Sequence, residues 1–168
     1  MTAQRVEVRV ATQQEWRVDK DVRLAALTEA PYAFGSTFAR DSSMKADRWR
    51  SWIGTTKTRD DHVIYLAHAD ERAVGMVGAF HETKTSVMLI AMWVGPEGRR
   101  TGIGRRLTQA ILDWAAGVKA RRVTLWVADR NPDAIALYVA MGFAPTGRHQ
   151  PLQSAPDRQI SEFARKPR

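Results

Sequence analysis

The sequence predicts an α/β (α+β) protein built on a single mixed sheet with helices on both faces. The chain has 168 residues, which is the usual length of one domain. Strand and helix patterns follow one another in the order β-α-α-β-β-β-α-β-α-β-β, and one sheet covered by helices accommodates that order most simply. Neither an internal repeat nor a linker rich in Gly, Ser or Pro interrupts the chain, so residues 1–168 are expected to form one domain.

The first third of the chain begins with a strand and two helices. Residues 5–10 alternate polar and apolar side chains, as a half-buried strand does. Residues 12–15 have the form of a capping box, so a helix should begin there and end before Pro31. A second helix is predicted over residues 41–53, because its first residue is a favourable cap and a glycine follows its last.

Three strand patterns then follow in close succession, at His62–Ala69, residues 73–80 and Ser86–Val94. Short polar turns at residues 70–71 and 83–84 separate them. Because such short connections join neighbouring antiparallel strands, these three segments should form a meander.

The rest of the chain alternates helices with strands. After residue 102 the apolar residues recur with the period of an amphipathic helix, and Arg122–Ala128 alternates as a strand does. An Asn-Pro pair at residues 131–132 is a typical helix start, and Gly142 should end that helix. Weaker strand patterns occupy residues 143–147 and 159–165.

The composition excludes several kinds of site. The chain contains no cysteine, which rules out disulfide frameworks, thiolate zinc sites and cysteine nucleophiles. Its four histidines lack the spacing of metal ligands, so no metal is expected. No apolar run approaches the roughly 18 residues that a membrane span requires, and residues 1–7 lack the apolar core of a signal peptide. We therefore expect a cytoplasmic protein with no membrane partner.

The chain is strongly basic, with 26 Lys and Arg against 18 Asp and Glu and a net charge of +8. Such a charge favours anionic partners, among them nucleic acid and polyphosphate ligands. A solvated surface rich in arginine is an equally good explanation. The chain has none of the recognised nucleic-acid-binding motifs, so a nucleic-acid partner is not expected.

The most informative segment joins the strand Ser86–Val94 to the next helix and contains Gly102, Gly104 and four arginines. The first amides of a helix have no internal partner and carry the positive end of its dipole. Glycines at that position let a phosphate approach the backbone, and arginines can bind it through two nitrogens. The segment therefore predicts an anion site. It is neither a Walker A loop, since Arg-Arg follows Gly104, nor a Rossmann fingerprint, since Leu107 replaces the third glycine.

Arg99-x-x-Gly102-x-Gly104 resembles the Arg/Gln-x-x-Gly-x-Gly/Ala loop of the GNAT superfamily, the acetyl-CoA-dependent N-acetyltransferases. The end of the preceding strand, residues 92–97, looks like the start of that loop, and residues 131–143 look like the family's second cofactor segment. The order of the elements is also similar over nearly the whole chain. The resemblance implies a mostly antiparallel sheet of about six or seven strands, splayed between the fourth and fifth strands with coenzyme A in the gap.

The same resemblance implies how acetyl-CoA is held. The pantetheine pairs with the free edge of the fourth strand, the amide of Val94 holds the thioester carbonyl, and the diphosphate lies on the loop amides with arginine side chains around it. Asn131 is explained equally well as a helix cap. The implied cofactor contacts are Met92, Trp93, Val94, Arg99, Arg100, Thr101, Gly102, Ile103, Gly104, Arg105, Asn131, Ala134 and Tyr138.

Two catalytic residues follow from the resemblance. Tyr138 matches the family's acid, which protonates the departing thiolate. Some members carry a glutamate base on the fourth strand, but Ser86–Val94 contains no carboxylate. Glu29 precedes a segment that resembles the roof of the acceptor pocket, so it is the candidate to hold or deprotonate the amine. The acceptor pocket is expected to be lined by Glu29, Tyr32, Phe34 and Trp126, and residues 148–157, with His149, to form a loop that closes it.

The function expected from these residues is N-acetyl transfer from acetyl-CoA to a primary amine by direct attack in a ternary complex, which needs no cysteine relay. The acceptor stays open among small polyamines, aminoglycoside-like antibiotics, amino acids and protein amines. A catalytically silent CoA-binding domain is the first alternative, because the strand carboxylate is missing, and a basic nucleic-acid-binding module is the second. The oligomeric state stays open, and a homodimer is suggested only by analogy with the family.

Overall fold

The computed structural model describes residues 4–168. The start of the N-terminal segment that lacks a signal-peptide core, residues 1–3, lies outside the described residues. The strands are β1 Val6–Val10, β2 His62–Ala69, β3 Arg72–His81, β4 Ser86–Val94, β5 Arg122–Ala128, β6 Ala144–Leu152 and β7 Ala155–Arg165. The helices are α1 Trp16–Glu29, α2 Phe38–Ser42, α3 Ala46–Ile53, α4 Ile103–Gly117 and α5 Pro132–Ala140.

All seven strands form one sheet in the order β1-β2-β3-β4-β5-β7-β6. Every neighbouring pair is antiparallel except β4 and β5, which run parallel. These two strands pair only at their beginnings, where Ser86, Val87 and Met88 face Arg122, Val123 and Thr124. Beyond Met88 they separate. The predicted mixed, mostly antiparallel sheet and its splay are confirmed.

Helices cover both faces of the sheet, as the sequence predicts. On one face α4 buries Leu107 and Ile111 against strand residues that include Val123. On the other face α1 buries Ala26 and Leu27, each at most 2% exposed, in a second cluster. Each large apolar side chain buried in this way contributes roughly 1.5–3 kcal/mol. These two cores hold β4 and β5 rigidly on either side of the opening between them. Among residues 4–168, no helix combines the length and the hydropathy that crossing a membrane requires.

The predicted start of the second helix, at residue 41, is wrong. Instead of one helix over residues 41–53, α2 and α3 are two separate helices, and Asp41 lies inside α2. The side chain of Thr37 caps α2 through the amide of Arg40. Asp41 does not cap a helix because its carboxylate is bonded to side chains, as described below. The end of α3 is as predicted, since Gly54 follows it with φ 77°.

The last two strands are longer than predicted, and the expected loop over residues 148–157 is wrong. Most of that segment belongs to β6 and β7, and His149 lies in β6 with its Nδ1 2.8 Å from the Oγ of Ser161. Prolines at 145, 151 and 156 hide the strand pattern in the sequence. Pro145 and Pro151 are tolerated in β6 because it is an edge strand, where an outward-facing NH has no ladder partner.

Candidate active site

The opening between β4 and β5 exposes a backbone edge. The amide of Gly95 donates to the carbonyl of Val74 in β3. Since successive strand residues point their backbone groups to opposite sides, the amide of Val94 faces the opening instead. Ala91 has φ 56°, and the pairing of β4 with β3 shifts register there. This bulge turns the end of β4 away from a regular ladder, as bulges do beside functional sites.

The three predicted cofactor residues of β4 differ in orientation. Met92 and Val94 turn their backbone groups toward the opening, and their half-buried side chains pack against the α4 side of the sheet. Trp93 pairs with Met76 of β3, so its backbone faces away from the opening. Its side chain is buried on the α1 side, where Nε1 donates to Glu29 at 3.0 Å. The free edge thus consists of alternate residues.

The loop before α4 presents a row of free backbone donors. Within residues 4–168, the amides of Arg100 through Arg105 donate no hydrogen bond. Arg100 and Gly102 both have left-handed backbone, with φ 61° and φ 84°. Alternation of this kind folds successive amides into a concave nest for an anion. The hydroxyl of Thr101 is not available to a ligand, since it donates to the carbonyl of Gly98 at 2.5 Å. The row of amides and the dipole of α4 give the site its positive potential.

The two glycines of the loop have different surroundings. A side chain at Gly102 would meet no atom of residues 4–168 within 4 Å, so open space lies over the nest within the described structure. A Cβ at Gly104 would lie 3.1 Å from Leu137 of α5. Gly104 therefore also permits α4 and α5 to pack closely. Asn131 caps α5, where its side chain accepts from the amide of Ala134 at 3.2 Å.

The arginines of the loop divide into two pairs. Arg99 donates from Nε to the carbonyl of Val94 and from a terminal nitrogen to Glu29 at 2.7 Å. Arg106 donates to the carbonyl of Val6 in β1. Arg100 and Arg105 are exposed, and their guanidinium groups have no partner within the part of the chain that the structure describes. Arg100 and Arg105 are thus the pair available to phosphates.

Glu29 lies at the end of α1 and joins three elements. Its carboxylate accepts from Arg99 in the loop and from the indole of Trp93 in β4. The hydrogen bond from Arg99 is the main reason that the pKa of Glu29 is held below its usual value. Partial burial opposes that shift, and the bond from Trp93 adds to it. A carboxylate stabilised in its ionised form is a weaker base, so these contacts favour an anchoring role for Glu29.

Tyr138 lies in α5 and is buried in the core on the α4 side of the sheet, with 5% of its surface exposed. Its ring meets Phe143 edge-on at 5.7 Å between centroids. Burial raises the pKa of the Tyr138 hydroxyl above its usual value. No residue in the range 4–168 takes a hydrogen bond from this hydroxyl or gives one to it. Tyr138 therefore keeps its proton throughout the physiological pH range.

A cavity of about 500 Å³ opens on the α1 side of the sheet, beside the bulge. Phe34 and Trp126, two of the predicted acceptor residues, line it. Tyr32 lies elsewhere: it is 40% exposed, and the guanidinium of Arg158 stands 5.8 Å from its ring. Glu29 is likewise occupied by Arg99 outside the walls of this cavity.

The cavity also contains polar residues that the sequence reasoning missed. A hydrogen-bonded group on its wall consists of Arg23 of α1, Asp41 of α2 and Ser36, which precedes α2. The sequence does contain a signal for Arg23. This arginine lies on α1 among the residues of its buried face, between Val22 and Ala26. An arginine on an apolar helix face is worth testing for a ligand.

Comparison with known proteins gives a consistent result. The model of a family described as the acetyltransferase (GNAT) family matches residues 24–143 of the chain. N-acetyltransferase 8 of Homo sapiens is 33% identical over 90 residues, which cover 51% of this chain and 40% of that protein. The chain thus spans about two fifths of the length of this curated relative.

Two solved structures share the fold over nearly their whole length. A putative acetyltransferase of Salmonella typhimurium, solved with its cofactor acetyl-CoA, has a TM-score of 0.80 at 14% identity and covers 98% of this chain and 95% of its own. A GNAT-family acetyltransferase of Streptococcus pneumoniae has a TM-score of 0.78 at 18% identity, and the match covers 96% of this chain and 99% of that one. The predicted resemblance is confirmed at the level of fold and family.

Proposed function

Because the chain belongs to the GNAT family of acetyltransferases, we propose that it transfers an acetyl group from acetyl-CoA to a primary amine. The observation that carries this function is the row of free amides from Arg100 to Arg105 beside the open edge of β4. A helix N-terminus with unpartnered amides suits a diphosphate. A strand edge without a partner suits the amide groups of a pantetheine arm. The Salmonella neighbour with acetyl-CoA supports the same cosubstrate here.

The residues of the chain divide the work of binding. The loop amides hold the diphosphate, and Arg100 and Arg105 add charge-assisted contacts to it. Met92 and Val94 offer their backbone groups to the arm in the opening. The amide of Val94 is the donor for the thioester carbonyl, where it stabilises the negative charge that develops on that oxygen. The thioester is thereby held beside the bulge, and holding it in line with the amine supplies much of the rate.

Tyr138 supplies the proton in this scheme. Its hydroxyl is kept neutral by burial and so can protonate the departing thiolate. The nitrogen of the new amide releases its surplus proton to solvent, and Tyr138 regains a proton from solvent. Glu29 holds Arg99 and the end of β4 in place rather than removing the proton of the amine, since its carboxylate is already satisfied by two donors. The ammonium group of the acceptor loses its proton to water before it attacks the thioester. A cytoplasmic location and a homodimer stay predictions.

Calorimetry with acetyl-CoA, followed by a thiol-release assay with a panel of amines, tests the function. We expect binding and release of free CoA that depends on the amine. The absence of binding would overturn the proposal. Binding without turnover on any amine would favour a silent CoA-binding domain. Tight, salt-sensitive binding of nucleic acid without binding of CoA would favour the nucleic-acid-binding module.

A further inference from the structure

The cavity beside β4 carries a feature that identifies the class of acceptor. Resting on the acetyl transfer proposed above, we infer that the acceptor is a small amino acid-like molecule whose carboxylate binds Arg23 and whose apolar part fills the cavity.

The guanidinium group of Arg23 is held along one edge by Asp41 and on one face by the ring of Phe34. Its Nε donates to the Oδ2 of Asp41 at 2.9 Å, and its guanidinium lies 4.9 Å from the centre of the Phe34 ring. Its side chain is only 14% exposed, and it lines the cavity. In the chain from residue 4 onward its two terminal nitrogens donate to no protein group. A guanidinium fixed in this way presents one free edge of donors, which matches the two oxygens of a carboxylate.

Asp41 does not compete for the amine of the acceptor. It is 5% exposed, and its two oxygens accept from Arg23 and from the hydroxyl of Ser36. Its charge therefore serves to orient Arg23. A cationic acceptor would find no free carboxylate on this wall.

The remaining charges point the same way. Arg40 and Arg48 also line the cavity, which makes three arginines against one carboxylate. Such a potential repels polyamines and aminoglycosides and attracts a molecule with an anionic group. This local balance agrees with the sign of the whole chain, whose net charge is +8.

Apart from Gln150 and Gln153, the side chains on the rest of the wall are apolar or aromatic. Trp49, Trp52, Phe80 and Trp126 line the cavity, as does Leu152. A volume of about 500 Å³ is within the range of small-molecule sites. Ala91, at the bulge of β4, belongs to the same wall. Arg23 and the bulge of β4 thus line one continuous cavity.

The test compares acceptors that differ only at the carboxylate, such as phenylalanine with phenylalaninamide and leucine with leucinamide. In the thiol-release assay we expect kcat/KM to be at least about tenfold higher for the acids, because bonds to charged groups are worth about 1.5–3 kcal/mol. Arg23→Gln should remove this preference by raising KM for the acids about 10- to 100-fold. Arg23→Lys keeps the charge without the two-nitrogen edge and should restore only part of it.

Controls separate this inference from the function on which it rests. Arg17→Gln changes an exposed arginine of the same helix and should leave both KM values unchanged. If Arg23→Gln does not fold, the double variant Arg23→Gln/Asp41→Asn removes both charges and should show the same lost preference. Equal use of acids and amides, a preference that survives Arg23→Gln, or polyamines as the best acceptors would overturn the inference while acetyl transfer stands. Failure of acetyl-CoA to bind would overturn both.

Discussion

At the scale of single residues, the carboxylate of Glu29 connects three elements of the candidate site. It joins the end of α1 to Arg99 in the loop and to the indole of Trp93. Because the pKa of Glu29 is lowered, its ion pair with Arg99 persists above the usual carboxyl range and is lost only in acid, as pH falls through the lowered pKa. The network is therefore intact at every pH at which the amine can lose its proton.

Tyr138 allows a direct test of the acid. Tyr138→Phe removes only the hydroxyl, and the ring keeps its edge-on contact with Phe143. We expect kcat to fall about 100-fold or more, the usual contribution of a positioned acid, while the affinity for acetyl-CoA stays unchanged. Steady-state kinetics and calorimetry measure the two effects. Because an acid is lost only above its pKa, and burial raises that of Tyr138, kcat of the native chain should not decline on this account below about pH 10.

Tyr65→Phe is the matched control, since Tyr65 is a half-buried tyrosine on β2 outside the opening. It should turn over as fast as the native chain. A fully active Tyr138→Phe variant would remove Tyr138 from the role of acid.

The functional role of a residue could be predicted from the sequence only where a local motif indicates it. Gly102, Gly104 and Tyr138 stand in short motifs whose spacing is visible in the chain. Arg23 has no such motif, because its partner Asp41 lies 18 positions away and depends on how α2 packs on α1. Contacts of this kind are set by tertiary packing and are not visible in local patterns.

At the scale of elements, the loop and α4 together form the proposed anion site, and Gly104 affects both its free backbone and its packing against α5. A Cβ at this position would lie 3.1 Å from the tip of Leu137, a flexible side chain that can give by a few tenths of an ångström. Gly104→Ala should therefore be tolerated, with a gain in helix propensity of up to about 1 kcal/mol to offset the tighter packing.

Gly104→Asp separates charge from packing at the same position. An acidic residue in the first turn of a helix stabilises it by about 0.3–1 kcal/mol, but it competes with a diphosphate for the same amides. We expect a melting temperature close to that of Gly104→Ala and an affinity for acetyl-CoA at least about tenfold weaker. Calorimetry and thermal unfolding measure these quantities. An equal affinity for the two variants would contradict the assignment of the loop.

Elements with strong periodicity were predicted to within one or two residues, and those with conflicting signals were not. The bounds of β2, β4 and β5 agree with the prediction because their apolar patterns are uninterrupted. The break between α2 and α3 was missed, since the cap signal at Asp41 reports a local preference that the bond to Arg23 overrides. In β6 the prolines weakened a strand that only its edge position explains.

At the scale of the whole molecule, the two cores are built for different tasks. The α4 side is closed and apolar, and it holds the parallel beginnings of β4 and β5 together. The α1 side contains ionisable side chains that are buried or nearly buried, among them those of Asp19, Asp41 and Arg23. Burying a carboxyl group without a hydrogen-bond partner costs stability, so Asp19 makes the fold less stable on the side where the cavity lies.

Asp19 makes that cost measurable. Its carboxyl is 1% exposed, and neither oxygen has a hydrogen-bond partner among the residues described. Burial raises its pKa from 3.8 to about 7, and the charge of Arg23 opposes the shift only in part. In the unfolded chain this carboxyl ionises at its usual value, so between the two pKa values the unfolded state has released a proton that the folded state retains. The free energy of unfolding must therefore fall as pH rises across this interval.

Asp19→Asn stays neutral in both states and should lack this loss. We expect the stability of the variant relative to the native chain to increase by on the order of 4 kcal/mol between about pH 4 and pH 8, and to be constant above that interval. Urea unfolding at a series of pH values measures the difference, and Asp21→Asn, an exposed carboxylate on the same helix, should run parallel to the native chain. A pH-independent difference between Asp19→Asn and the native chain would mean that Asp19 is ionised in the fold. Its charge would then have to be compensated by Arg23, which would leave less of that guanidinium's charge to attract a carboxylate in the cavity.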